Sequence, residues 1–104
     1  MAEVDRAVRK WAQEAAHRRD VLRVGYFGSY ARRDWGVGSD VDLVLIVRRS
    51  ERPFWERPLD WDATRLPVPA DVFVYTKEEW GRITDRPGFG RPVEGEAIWV
   101  LERE

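Results

Sequence analysis

The stretch Asp40-Val41-Asp42-Leu43-Val44-Leu45-Ile46-Val47 constrains the fold more than any other part of the chain. Its last five side chains are all aliphatic, so a strand built from them has no polar face. Such a strand must be covered on both sides and lie inside a sheet. Residues 21–27 and 70–75 read as further strands of the same apolar character, and 97–101 as a last one. Val4, Val8, Trp11 and Ala15 recur at i, i+4, i+7 and i+11, which predicts a helix over 3–18. A short helix follows Gly28-Ser29, with Ser29 as its N-cap, and stops near 35–36. Pro53, Pro58, Pro67 and Pro69 leave room for only one short helical piece around 54–65. Thr76-Lys77-Glu78-Glu79 matches a capping box and opens a helix through about residue 84. Residues 85–95, with Pro87, Gly88, Gly90, Pro92 and Gly95, read as loop. The order α-β-α-β-(α)-β-α-β predicts an α/β (α+β) domain, a mixed four-stranded sheet with helices packed on it.

The 104 residues suffice for a single domain spanning 1–104. A charge of −1, from 18 basic and 19 acidic residues, argues against direct nucleic-acid binding, which favours a marked basic excess. With no Cys, disulfides and thiolate metal sites are excluded. No apolar run reaches the ~20 residues of a membrane span, and the first residues do not form a signal peptide. The expected location is therefore cytoplasmic, with no membrane partner. The abundance of Arg over Lys and the lack of Asn are compatible with a thermophilic source or a GC-rich genome.

Chemistry concentrates in three places. Asp40 and Asp42 stand at i and i+2 of one strand, so both carboxylates leave the same face, ~7 Å apart along the chain. Like charges so placed need a cation between them. Without His or Cys nearby, an all-oxygen site suits Mg²⁺ or Mn²⁺, with phosphate oxygens completing the shell. Asp71 opens a strand of the same profile, and beside the first strand its carboxylate would reach the same ion. Three acids at neighbouring strand ends are what two-metal phosphoryl or nucleotidyl transfer requires. Upstream, Gly28-Ser29 lies between a buried strand and a helix, where backbone N–H groups are open to a phosphate. Arg32 and Arg33 follow one turn on and could neutralise it.

The run Gly28-Ser29-Tyr30-Ala31-Arg32-Arg33-Asp34-Trp35-Gly36-Val37-Gly38-Ser39-Asp40-Val41-Asp42-Leu43 resembles the signature of the DNA polymerase beta nucleotidyltransferase superfamily. Its minimal nucleotidyltransferases are the most similar branch. They carry Gly-Ser, about ten residues, Ser-Asp-x-Asp and a third Asp on a later strand. The resemblance covers residues 21–76 and, more loosely, the last strand. It implies a polymerase-beta-like nucleotidyltransferase fold, with Gly28, Ser29, Arg32 and Ser39 toward the nucleotide phosphates. It also implies that Asp40, Asp42 and Asp71 are catalytic and hold two Mg²⁺ ions, with ATP as substrate and Asp71 orienting or deprotonating the attacking hydroxyl. Arg33 departs from the Gly common at that position. Members of the branch typically act as antitoxins beside a helical HEPN-domain toxin, so the resemblance implies AMP transfer to a tyrosine of such a partner. Two other readings stay open: a non-catalytic antitoxin that neutralises by contact, and a small-molecule transferase of the aminoglycoside-modifying type.

Other motifs read as structural. Asp60-Trp61-Asp62 repeats Asp-x-Asp among prolines and is loop. Gly36-x-Gly38 lacks the third Gly and the following helix of a dinucleotide fingerprint. His17 is a surface cation near a helix end. Six Trp are many for this length, and Trp35, Trp55, Trp61 and Trp80, outside the strands, fit a protein-binding surface.

Overall fold

Aliphatic continuity in the second strand has its expected cause: both faces of the sheet are covered. The computed structural model describes residues 2–32, 40–85, 88 and 90–103. In chain order the elements are α1 (Ala2–Ala15), β1 (Val21–Phe27), α2 (Ser29–Arg32) and β2 (Val41–Val47). A 3-10 helix (Phe54–Asp60) follows, then β3 (Ala70–Thr76), α3 (Lys77–Thr84), α4 (Gly90–Glu96) and β4 (Ile98–Glu102). The sheet order is β3-β2-β1-β4. Strand β1 is antiparallel to β2 and β4, while β2 and β3 run parallel, so the sheet is mixed as expected.

Side chains alternate along a strand, and β2 divides its own between two cores. Val41, Leu43, Leu45 and Val47 face a cluster with Val4, Val8, Trp11, Ala12 and Ala15 of α1. Val44 and Ile46 face the other cluster, with Phe27, Trp80 of α3 and Val93 of α4. At about 25 cal/mol per Å² of apolar surface, burial of this kind is the main force holding the layers together.

The sequence reading differs from the structure in three elements. Residues 90–96 form α4 where a loop was expected. Pro92 is the third residue of that helix, where its missing N–H falls among the first-turn donors that have no intrahelical partner. Gly90 is buried, and a Cβ there would lie 2.7 Å from the Ile83 carbonyl, so glycine lets α4 close on α3. The piece around 54–65 shortens to the 3-10 helix, whose interior Pro58 limits it. Finally, α1 ends at Ala15, short of residue 18.

The tryptophans are used mostly in packing. Trp80 and Trp11 are buried, Trp61 packs against Trp11 with ring centres 6.3 Å apart, and Trp80 meets Trp99 edge-on at 6.0 Å. Of the three described ones among those read as surface, only Trp55 is strongly exposed, at 77%. Trp35 lies outside the described residues.

The capping box at α3 has both reciprocal bonds. Its Glu79 carboxylate also receives the buried Arg57 guanidinium, Nη1 to Oε1 at 2.6 Å and Nη2 to Oε2 at 3.0 Å. Arg57 Nη1 further donates to the Val74 carbonyl at 3.1 Å. One carboxylate thus starts a helix and fastens the 3-10 helix to β3. The Arg57 hydrogen bonds hold Glu79 at a pKa of about 2, against an ordinary 4.5. A carboxyl depressed in the folded state stabilises fully above its unfolded value and loses that contribution as pH falls. Acid unfolding of the wild type should therefore steepen between pH 4.5 and about 2, and Glu79→Gln should flatten that limb. Arg57→Ala should cost about 2–3 kcal/mol in urea melts, below a fully buried pair because Glu79 stays partly open to water.

Candidate active site

Alternation and register decide where the acids go. Asp42 has the parity of Val44 and Ile46, so its side chain leaves the α3/α4 face of β2. Asp71 has the parity of Phe73 and Tyr75, which pack on that same face. In the parallel pairing Asp42 stands directly opposite Asp71. On its other side Asp42 is the register partner of Phe27, the residue before Gly28. The Gly28 turn, the start of β2 and the start of β3 therefore meet at one end of the sheet. Asp40 precedes β2 with its side chain exposed.

Gly28 has φ 77°, and a Cβ added there would overlap the Asp42 carboxylate. Both facts require glycine: the first because L side chains avoid that backbone region, the second because the backbone lies against an acid. The Gly28 carbonyl accepts the first helical bond of α2, from Arg32 N–H at 3.0 Å. Gly28 therefore holds the cap position, and Ser29, read as the N-cap, is the first helical residue. The turn enters α2 with positive φ at that position, which glycine adopts without strain and serine does not.

The electrostatics record the crowding of acids. Burial pushes the Asp42 carboxyl above the ordinary carboxylate range, Asp71 and Asp40 push it further, and Arg32 opposes them. The set offers only hard oxygen donors, which fits a divalent cation such as Mg²⁺ in type and charge. Asp42 and Asp71 are brought together. Among the described residues, however, no three His, Asp or Glu side chains are already drawn into a set able to hold an ion. Ser39 lies outside the described residues, as does Arg33.

One residue escaped the sequence reading. Glu96, the last of α4, accepts from the Gly28 N–H at 3.1 Å and from Arg32 Nη1 at 2.9 Å, both on Oε1. Its place in a stretch rich in Gly and Pro gave no signal. Two residues earlier, Glu94 receives Arg23 of β1 through paired bonds of 2.7 Å each, and the Trp80 indole N–H at 3.0 Å. These bonds fix α4 against the sheet.

Beside Asp71 a cleft of about 850 Å³ runs along β3, walled by Trp61, Leu66, Val68 and Pro69. Asp62 and Asp71 line it, with no Lys or Arg among its described residues.

A nucleotidyltransferase domain family matches residues 8–91. A search of curated proteins finds no match. Among solved structures, a Sulfolobus solfataricus protein assigned as a nucleotidyltransferase is similar in fold, with a TM-score of 0.64 at 18% identity. The alignment covers 92% of this chain and 78% of that one. Among the described residues, no helix is long and apolar enough to cross a membrane.

Two outcomes test the site. Ionised Asp42 opposes folding, since a raised acid stabilises only while protonated and loses that contribution as pH rises. Asp42→Asn should thus raise the melting temperature at neutral pH, without divalent ions, by about 2–5 °C. Gly28→Ala should lower it and perturb the Asp42 side chain, read from chemical shifts.

Proposed function

Because the chain belongs to the nucleotidyltransferase domain family, we propose that it moves a nucleoside monophosphate, AMP from ATP, onto a hydroxyl. The observation that carries this reading is the register that sets Asp42 opposite Asp71, next to the Gly28 turn. Asp40, Asp42 and Asp71 would hold Mg²⁺, which when bound neutralises the triphosphate and the charge developing on the entering and leaving oxygens. The Gly28 N–H and Ser29 bind the phosphate tail, and Arg32 adds a cation to it. Asp71, at the edge of the cleft, accepts the proton of the attacking hydroxyl. The hydroxyl oxygen bonds to the α-phosphorus as the bond to the bridging oxygen breaks, and pyrophosphate leaves. No covalent enzyme intermediate is required.

The acceptor is best read as a protein hydroxyl. A cleft with two carboxylates and no described cation is poorly suited to the phosphates of a nucleic acid, whereas its apolar walls suit an aromatic side chain. The resemblance to minimal nucleotidyltransferases then points to a tyrosine of a HEPN-domain toxin and to an antitoxin role. A contact-only antitoxin is favoured by one feature, the exposed Phe54, Trp55 and Leu59 on the 3-10 helix.

Incubation with Mg²⁺, ATP labelled at the α-phosphate and an extract of the source organism separates these readings. The expected result is an α-labelled protein band, absent with γ-labelled ATP and reduced about a thousandfold by Asp42→Asn. Partner capture that survives Asp42→Asn, with no labelled product, would establish the contact-only reading instead.

A further inference from the structure

Two of the donors proposed for the nucleotide phosphates are already held by an anion of the chain itself. Glu96 Oε1 takes the Gly28 N–H at 3.1 Å and Arg32 Nη1 at 2.9 Å, one backbone and one guanidinium donor on a single charged oxygen. That is the arrangement a phosphate oxygen would make there. Two anions cannot share these donors without paying for their mutual repulsion. Resting on the nucleotidyl-transfer reading above, we propose that Glu96 is an internal competitor for the phosphate-binding donors. It sets the affinity for the nucleotide, and the triphosphate must displace it to bind.

The surroundings make displacement easy for Glu96 and hard for the helix that carries it. Glu96 ends α4, its side chain is 30% exposed, and that of Arg32 is 53% exposed. Turning the carboxylate to water therefore leaves no buried charge behind. Helix α4 stays in place because Glu94, Val93 and Gly90 anchor it to β1, Trp80 and Ile83. Arg32 is the hinge of the competition. Paired with Glu96 it is partly neutralised, and released it lends its charge to a phosphate beside Asp42. Glu96 is a positioning residue, since it acts through Gly28 and Arg32 and not on the reacting atoms.

Glu96→Gln keeps an oxygen able to accept both bonds and removes the charge. Glu96→Asp withdraws the carboxylate from the donors by one methylene. Isothermal titration with Mg-ATP, and with tripolyphosphate as a base-free probe, should show both variants binding about fivefold more tightly than wild type. A purely structural defect would weaken binding, so the direction is diagnostic. In an Arg32→Ala background the gain should shrink below about twofold. Wild-type binding with no tightening in either variant would overturn the role of Glu96 and leave the nucleotide reading intact. Failure of every chain to bind ATP or tripolyphosphate at millimolar concentration would overturn both.

Discussion

Parallel pairing of β2 with β3 sets Asp42 opposite Asp71, and the rest of the site is arranged around holding two carboxylates there. Left alone the pair is unfavourable. Burial and its neighbours already push Asp42 above the ordinary carboxylate range. A fold tolerates such a cost where a ligand offsets it, and on the proposed reading a divalent cation with a polyphosphate would do so. The Gly28 turn belongs to the same constraint. Its missing Cβ is what allows the backbone to lie against Asp42, so the Gly28 turn and the acid pair come to the same end of the sheet.

Helix α4 ties that end of the sheet to the second core. Glu94 clamps Arg23 and Trp80, while Glu96 reaches the Gly28 N–H and Arg32. Two acids a short step apart on one helix thus serve different ends. The first, paired at 2.7 Å on both guanidinium nitrogens, is architecture. The second touches the very groups a phosphate would use. The Arg57–Glu79 pair plays the architectural part at the opposite edge, where it fastens the 3-10 helix over β3. The Arg57–Glu79 and Arg23–Glu94 pairs thus hold the fold together, while the pair through Glu96 lies at the proposed phosphate donors.

The sequence by itself determined whatever depends on near neighbours. Strand β1 is predicted and observed at 21–27, and α3 begins where its capping box places it, because a continuous apolar run and a cap are local signals. The resemblance at residues 28–43 likewise pointed to the nucleotidyltransferase domain that the family match supports.

Tertiary structure alone decided what depends on residues distant in the chain. Pairing Asp42 with Asp71 requires a crossover through prolines whose course no local pattern specifies. Helix α4 contradicts its own composition, because burial of Val93 and the close approach at Gly90 outweigh the poor propensity of Gly and Pro. Trp80 reads as surface because it lies outside the strands, and becomes core only when α3 and α4 close over the sheet. Glu96 reaches a donor 68 residues away, a contact that exists only once β4 lies beside β1.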